Sequence, residues 1–298
     1  MKLNIKVLVV LLVVLFGCNN RENDEYITSI KEWQTERIEN LKSKTGWLNL
    51  VGLYWLDEGE NSFGSDSSNK IIFPEETPEN IGIITLHDSI LKIRINKSVE
   101  VYCNNEKISE KRIKSDASEK ASLFELDSYA WLIIKRNGRY AIRLRDYNNE
   151  LIGKINTIPT YPINKKWRIK ANYIAFDKPE NMFVPSIIGY TSAVKCYGVI
   201  EFNINNQTYS LKPIMNNDGS FFVIFADRTS ANETYGAGRF LDIDKPNEDN
   251  ITYIDFNKAY NPPCVFSKFA TCPLPPIENI IPVCIPAGEK IGENFGKH

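Results

Sequence analysis

The stretch WLIIKRNGRYAIRLR, residues 131–145, contains the strongest local folding signal in the chain. Two runs rich in β-branched and aromatic residues flank Asn137-Gly138, a dipeptide that favours the type I′ turn of a two-residue hairpin. In the second run, Arg143 and Arg145 alternate with apolar residues, which places the arginines on one face of the strand and the apolar side chains on the other. The stretch therefore predicts an antiparallel β-hairpin.

Short β-rich runs separated by turn residues continue this pattern on both sides of the hairpin. In the first half, the predicted strands are Trp47–Leu56, Lys70–Phe73, Ile81–Leu86, Ile90–Ile95, Val99–Cys103, Trp131–Lys135 and Arg139–Arg145. After a break at Pro159–Pro162, they are Trp167–Phe176, Ala193–Ile204, Thr208–Leu211, Phe221–Phe225, Arg239–Ile243 and Ile251–Phe256. Turns are predicted at His87–Ser89, Asn104–Asn105, Asn205–Asn206 and Asp218–Gly219. The sequence thus predicts a mainly β protein with two β-rich halves of sandwich or barrel type.

One amphipathic helix is predicted before the strands, from about Asp24 to Lys44, with Asn23 or Asp24 as its N-cap. Gly46 follows its predicted end, as is common after helix C-termini. The apolar positions that define its single face are Ile27, Ile30, Trp33, Ile38 and Leu41. We assign this helix and the first β-sandwich to a domain of residues 26–158.

Prolines are concentrated near the C-terminus, where seven of the fifteen lie between Pro262 and Pro286. Proline cannot donate to a β-ladder and interrupts helices, so the last 40 residues are expected to be a stiff and irregular segment. We call it the C-terminal strap. The second predicted domain, residues 159–298, consists of the later strands and this strap.

The first residues have the layout of a secretory signal, with Lys2 and Lys6 before an apolar run over residues 7–16 and then Gly17 and Cys18. The apolar run of ten residues is shorter than the roughly 20 that a membrane-spanning helix needs.

The stretch LFGC, residues 15–18, resembles the lipobox of bacterial lipoproteins. That resemblance implies a signal peptide over residues 1–17, acylation of Cys18, and a polar tether over residues 18–25. The expected partner is the lipid bilayer of a bacterial envelope. The residue after Cys18 is Asn19 and not Asp, which favours the outer membrane as its location.

Composition excludes several function classes. The chain has 36 basic and 37 acidic side chains, and without Lys2 and Lys6 the net charge is −3. This balance lacks the basic stripe expected of a nucleic-acid binder, so we predict no such partner. The only histidines are His87, in a predicted turn, and His298, which disfavours histidine-based catalysis. No G-x-S-x-G nucleophile motif and no cofactor motif is present, and no cofactor is predicted.

Five cysteines remain once Cys18 is assigned to the lipid, so at least one thiol must be unpaired. Disulfides persist outside the cytoplasm, and Cys264 and Cys272 form the closest pair in sequence, so they are the preferred disulfide. A metal site is the alternative. Zinc sites usually have cysteines two to four residues apart with histidines nearby, which this chain lacks, so no metal is predicted.

A set of motifs across most of the chain resembles the bacterial family of domain of unknown function 1684, including lipoprotein members. The motifs are GWL (46–48), VGLYWL (51–56), ENSFGSD (60–66), RLRD (143–146), ETYGAGRFL (233–241), DFNKAYNPPC (255–264), ATCPLPP (270–276) and PAGEK (286–290). The resemblance implies no established activity. It makes Cys284 the candidate for the unpaired thiol, because the family more often has a small residue there.

The first half also resembles a forkhead-associated β-sandwich, since residues 63–73 follow the rhythm of that fold's early loop and strand. Ser65 stands where the phosphothreonine-binding arginine would follow Gly64, and no Ser-x-x-His follows. The resemblance therefore implies a fold and does not imply phosphopeptide binding.

Polar residues of the second half form the candidate site, which brackets two strands and the strap. They are Asp227, Arg228, Glu233, Tyr235, Arg239, Asp255, Asn257, Tyr260 and Asn261, with Gly236 and Gly238 allowing positive φ or close backbone approach. One interpretation is a pocket in which Arg228 and Arg239 bind a small anionic ligand. The favoured interpretation is an internal network in which Arg239 pairs with Asp255 or Glu233 and fastens the strap.

Two functions remain open from the sequence. The favoured one is a membrane-anchored envelope lipoprotein that acts as a ligand-binding or structural module. The alternative is an envelope hydrolase that uses Glu233 and Asp255 as general acid and base on a glycan or peptide.

Overall fold

The computed structural model describes residues 5–292 and 295, and their side chains from residue 22 onward. Residues 1–4 of the predicted signal peptide and His298 lie outside the described residues, as does the side chain of Cys18. The chain forms two compact units. The sandwich unit consists of Leu41–Ile155 and Phe266–Ala270. The strap unit consists of the described residues up to Asn40, of Asn156–Val265, and of those from Thr271 onward.

The sandwich unit contains a six-stranded and a five-stranded antiparallel sheet, the second with one short parallel pairing of residues 63–64 with residues 71–72. Its strands are β1 (Leu50–Trp55), β2 (Gly59–Gly64), β3 (Ile71–Ile72), β4 (Gly82–His87), β5 (Ile90–Ile95), β6 (Val101–Cys103), β7 (Glu106–Ile108), β8 (Glu110–Arg112), β9 (Phe124–Leu126), β10 (Tyr129–Arg136) and β11 (Arg139–Asp146). The sheet orders are β1-β11-β10-β9-β6-β7 and β3-β2-β4-β5-β8. Trp131 and Phe63, one from each sheet, meet in the shared core with ring centroids 5.8 Å apart. A sandwich-like, mainly β fold is therefore confirmed.

The opening hairpin of the sequence forms as predicted. Arg136 and Arg139 are paired at its end, and Asn137 and Gly138 have φ values of 46° and 78°. Positive φ at both turn residues is the geometry that asparagine and glycine tolerate in a type I′ turn.

The strap unit contains a four-stranded and a three-stranded sheet. Its strands are β12 (Arg168–Pro185), β13 (Thr191–Ile204), β14 (Gln207–Leu211), β15 (Ile214–Met215), β16 (Phe221–Phe225), β17 (Arg239–Ile243) and β18 (Ile251–Asp255), in the orders β14-β13-β12-β18 and β15-β16-β17. Phe256 lies in the core between Phe202 and Phe225, with ring centroids 5.7 Å and 5.6 Å from theirs.

The helices differ from the prediction. Helix α1 spans Ile5–Lys42, so it includes residues 18–25, which were predicted as a polar tether, and Asn23 and Asp24 do not cap a helix start. Helix formation is cooperative, so a helix formed by the apolar run extends through these polar residues without a second nucleation step. A short helix, α2 (Leu151–Lys154), was not predicted. Among the described residues, no helix has both the length and the apolar composition needed to cross a membrane.

The two compact units differ from the predicted domains in the placement of α1. Up to Asn40 the helix belongs to the strap unit and not to the first-half sandwich, and the division of the chain falls between Ile155 and Asn156. Ile30 is fully buried, because the apolar face of the helix packs within the strap unit.

Candidate functional site

The strap is held beside the segment that follows β16. Ile281 N donates to Ala226 O at 2.9 Å, and Arg228 N donates to Val283 O at 3.0 Å. These backbone bonds bring residues 285–290 of the strap next to Asp227 and the start of β17. The candidate site is therefore built from a loop, a strand end and an irregular segment.

Arg239 and Asp227 form an ion pair inside this arrangement. Arg239 Nη2 lies 3.1 Å from Asp227 Oδ1, and the two side chains are 1% and 0% exposed. Burial lowers the pKa of Arg239, and the charge of Asp227 opposes that effect. The sequence predicted an internal pair for Arg239, but its predicted partners, Asp255 and Glu233, were wrong. Asp227 is the partner because it follows β16, whose last residue, Phe225, is paired with Arg239.

Further hydrogen bonds occupy both members of the pair. Arg239 donates to the carbonyl oxygens of Ile285, at 3.1 Å, and of Ala287. Asp227 accepts from Ile285 N at 2.7 Å and from the Thr229 hydroxyl at 2.9 Å. Thr229 Oγ1 also lies 3.0 Å from Thr234 Oγ1. The pair thereby ties the strap to β17.

A second buried carboxylate, Glu289, was not singled out by the sequence reasoning. Its side chain is 2% exposed and lies 3.2 Å from Arg37 Nε of α1. Asn261 N donates to Glu289 Oε2 at 2.7 Å, and Arg37 Nη2 donates to Asn261 O at 2.9 Å. Burial raises the pKa of Glu289, and the charge of Arg37 opposes that effect. The PAGEK motif contains this residue, so the motif was a signal that could have found it.

Arg37 also stacks on Tyr260, with its guanidinium carbon 4.6 Å from the ring centroid. The Tyr260 hydroxyl donates to Asp242 Oδ2 at 2.9 Å. Burial and the Asp242 charge raise the pKa of Tyr260, so this phenol stays protonated at neutral pH.

Asp255 and Asn257 form a separate cluster with the helix. The Tyr26 hydroxyl donates to Asp255 Oδ1 at 2.9 Å, and Asn257 Nδ2 donates to the Tyr26 oxygen at 2.8 Å. Asn257 N donates to Asp255 Oδ1 at 3.1 Å, which fixes the start of a 3-10 helix at Phe256–Lys258. Burial, followed by the charge of Asp255, raises the pKa of Tyr26. This cluster attaches the helix to the end of β18.

The other predicted site residues lie nearer the surface. Glu233 is 53% exposed and pairs with Lys290 at 3.3 Å, while Arg228 is exposed and Tyr235 is partly buried. Gly238 has a φ of 84°, and a Cβ there would lie 2.5 Å from Phe225 O, so this position requires glycine. Gly236 meets neither condition, because a Cβ there would make only an ordinary contact with Ala231.

Three buried polar atoms at this site have no hydrogen-bond partner among the described residues. They are Tyr161 Oη, Arg239 Nε and Asn261 Oδ1. Each of the three residues is hydrogen-bonded through other atoms to residues 285–290 of the strap. Buried polar atoms of this kind are usually satisfied by ordered water or a small polar ligand. The part of the chain that the structure describes contains no cluster of three or more potential metal ligands.

The structure contains a disulfide between Cys264 and Cys272, the pair expected from the sequence. Cys284 is an exposed free cysteine, while Cys103 and Cys196 are free and buried. The disulfide closes a loop at the start of the strap.

In the comparison with known families, the model of the family described as protein of unknown function (DUF1684) matches residues 154–290 of this chain. The family resemblance expected from the sequence is thereby confirmed for these residues. The DUF1684 match includes Asp227, Arg239, Asn261 and Glu289, whereas Arg37, the ion-pair partner of Glu289, lies outside it. No match was found among curated proteins.

Solved structures with partial similarity include an uncharacterized protein of Haloarcula marismortui. It is 23% identical, and the match covers 47% of this chain and 80% of that chain with a TM-score of 0.39. The FHA domain of FhaA, solved in complex with the intracellular domain of Rv3910, is 15% identical over 31% of this chain and 97% of its own, with a TM-score of 0.22. The FHA-2 domain of a Mycobacterium tuberculosis ABC transporter is 17% identical over 30% of this chain and 77% of its own, with a TM-score of 0.23. The solved structures found in this comparison thus include FHA domains.

Proposed function

We propose that this protein is a lipid-anchored bacterial envelope protein whose strap unit is a structural or ligand-binding module. The buried ion pair of Asp227 and Arg239 is the observation that carries the second part of the proposal. Both side chains are almost fully buried and engaged with each other and with the strap. Such a pair stabilises one arrangement of the chain and is not available to a substrate.

The anchoring part of the proposal is supported by the order of basic, apolar and small residues before Cys18. Acyl chains on Cys18 would attach the protein stably, since each buried CH₂ contributes about 0.8 kcal/mol. Replacing Cys18→Ser is expected to move the protein from the membrane fraction to the soluble fraction. Retention of the variant in washed membranes would contradict the anchor.

The contacts of the two predicted catalytic carboxylates also favour a structural role over hydrolysis. Asp255 accepts hydrogen bonds from Tyr26 and Asn257, and Glu233 is paired with Lys290. A glycosidase would place its two carboxyl groups about 5–10 Å apart across a cleft that admits the sugar. Here each carboxylate contacts a different partner.

The test of the module is to replace Arg239→Ala and to measure the melting temperature, the cellular abundance and the phenotype of the strain together. We expect the melting temperature and the abundance to fall and the phenotype to be lost with them, because Asp227 loses its buried partner. Lys170→Ala, which removes an exposed cation of the same unit outside the candidate site, is the control and should change none of them. Loss of the phenotype at unchanged melting temperature and abundance would show that Arg239 acts on a ligand.

A further inference from the structure

The sandwich unit contains a polar cleft of its own, with a volume of about 660 Å³. One wall is the segment that continues from β8 over residues 112–120, and the others are the β4–β5 turn and the hairpin of β10 and β11. The positively charged lining residues are Arg112, Lys114, Lys120 and Lys135. Ser89, Ser115 and Ser118 add hydroxyl groups, and Glu119 is the one acidic residue of the lining.

The four cations have no carboxylate within ion-pair distance among the residues that the structure describes. This is unlike their immediate neighbours, because Lys111 pairs with Glu106 at 3.9 Å and Arg136 pairs with Asp116 at 2.7 Å. Glu106 and Asp116 are therefore already engaged with other cations, and Glu119 is the acidic residue that remains in the lining. The cleft retains an excess of positive charge in a protein that is almost neutral.

The walls of the cleft are fixed by hydrogen bonds. Asp116 accepts from Lys135 N at 2.8 Å and from Arg136, and Asp116 N donates to Ile133 O at 2.9 Å. These bonds attach the 112–120 segment to β10. On its other side, Ile113 N donates to Leu91 O at 2.9 Å. The cations are thus gathered on a scaffold formed before binding, which lowers the entropic cost of binding a ligand.

Lys135 is held in place by an aromatic ring. Its ammonium lies 5.2 Å from the ring centroid of Tyr140, which also lines the cleft. A cation–π contact of this kind orients the ammonium without neutralising its charge.

We propose that this cleft binds a phosphate group, presented either by a small soluble molecule or by a phospholipid headgroup. The fork of N–H donors on Arg112 matches two phosphate oxygens, while the three lysines supply point charges and the serines supply hydroxyl donors. A phosphate monoester brings a charge of about −1.5 to −2 and three acceptor oxygens at neutral pH. A single carboxylate would leave most of the positive charge without a counterion.

The test uses the full chain with Cys18→Ser, so that an acyl group cannot attach it to vesicles and the result does not depend on the proposed anchor. Inorganic phosphate is titrated at constant ionic strength and compared with acetate by calorimetry. We expect phosphate to bind more tightly than acetate. The double variant Arg112→Gln with Lys120→Gln should weaken phosphate binding about tenfold or more, and Arg112→Lys should have an intermediate effect.

The matched control is Lys170→Gln with Lys195→Gln, which removes two exposed lysines of the strap unit. This control should bind phosphate like the parent chain, and circular dichroism should show that both double variants are folded. Equal binding of acetate and phosphate, or phosphate binding that the cleft variant does not weaken, would overturn the proposal.

Vesicles distinguish the two sources of the phosphate group. Sedimentation with phosphatidylglycerol vesicles, beyond that with phosphatidylcholine vesicles and reduced by the cleft variant, would identify a lipid headgroup. Phosphate binding without this excess sedimentation would identify a soluble phosphorylated molecule. Absence of both would overturn the proposal.

Discussion

Positive charge is buried and paired in the cluster around Arg239, whereas it is exposed to solvent in the cleft around Arg112. Arg239 is 1% exposed and has a carboxylate and two carbonyl oxygens as partners. Arg112 is exposed and shares its cleft with three lysines that have no carboxylate partner among the described residues. A buried charge is tolerated only when it is paired, whereas an exposed one stays solvated and available. The same residue type thus stabilises one unit and offers a binding surface on the other.

The largest expected effect comes from breaking the buried pair. Replacing Asp227→Ala leaves the charge of Arg239 buried without its partner and should lower the free energy of unfolding by about 3–5 kcal/mol. Urea unfolding, followed by the fluorescence of the chain, measures this loss. Asp249→Ala, at an exposed position, is the control and should change stability by about 0.5 kcal/mol or less.

A double replacement tests whether the unpaired charge of Arg239 causes this loss of stability. Asp227→Leu with Arg239→Met removes both charges, and it should be less destabilising than Asp227→Ala alone because no unpaired charge remains. If the double variant were the less stable of the two, the cost would lie in packing and not in the unpaired charge.

Local patterns in the sequence predicted some parts of the structure well and other parts wrongly. Strands with turn signals at both ends were predicted well, and the bounds of β16 and β17 match the prediction. The register of the Asn137-Gly138 hairpin follows from local chemistry. The start of α1 was predicted wrongly, because the polar residues before Ile27 were interpreted as a tether and an N-cap although the helix continues through them. Strand β2 was missed because its sequence, GENSFG, lacks the alternation of apolar residues that marks a strand.

The partners within the candidate site could not be obtained from sequence in the same way. Arg239, Asp255 and Asn257 were recognised as polar residues in β-rich surroundings, but the pairing of Arg239 with Asp227 depends on the register of β16 and β17. The contacts of Tyr26 and Arg37 with residues more than 220 positions away depend on where the helix packs. Local patterns carry no information on contacts of that separation.

The next largest effect on stability is expected from removing the disulfide between Cys264 and Cys272. Replacing both Cys264→Ser and Cys272→Ser opens a loop of eight residues and should lower the free energy of unfolding by roughly 2–3 kcal/mol, mainly through greater freedom of the unfolded chain. The measurement is urea unfolding under oxidising conditions. Cys284→Ser is the control, since this thiol is unpaired and exposed. A reducing agent should destabilise the parent chain and leave the double variant unchanged.

A smaller effect concerns Glu289, whose pKa is raised by burial in spite of Arg37. In the unfolded chain a glutamate carboxyl titrates near about 4.3. Between that value and the raised value of the folded state, the folded protein binds more protons than the unfolded chain, so stability falls as the pH rises. The stabilising contribution of Glu289 is therefore fully present below the ordinary glutamate pKa. It is lost as the pH rises through the raised pKa of the folded state.

The measurement is the unfolding free energy of the parent chain and of Glu289→Gln across this pH range. The advantage of the parent chain over the variant should shrink as the pH rises, because glutamine does not titrate. An advantage that grew with pH would show that the attraction of Arg37 outweighs burial. Glu248→Gln, an exposed replacement in the same unit, is expected to leave the pH profile as it is in the parent chain.

The smallest effect on stability is expected in the cleft. Arg112→Gln with Lys120→Gln should change the free energy of unfolding by no more than about 0.5 kcal/mol, since neither residue has an ion-pair partner to lose among the described residues. At low salt the variant should be slightly the more stable, because like charges repel across distances shorter than the Debye length, which is about 10 Å at 0.1 M salt.

Measuring the free energy of unfolding at two salt concentrations checks whether the cleft variant is the more stable of the two at low salt. The advantage of the cleft variant should vanish at about 1 M salt, where the screening length falls to about 3 Å. A loss of 2 kcal/mol or more, as estimated for a broken structural contact, would mean that Arg112 serves the fold as Arg239 does. The difference between the two regions would then lie in exposure alone. A small gain together with weaker phosphate binding would show that the cleft keeps its charges close together for a ligand, at a small cost in stability.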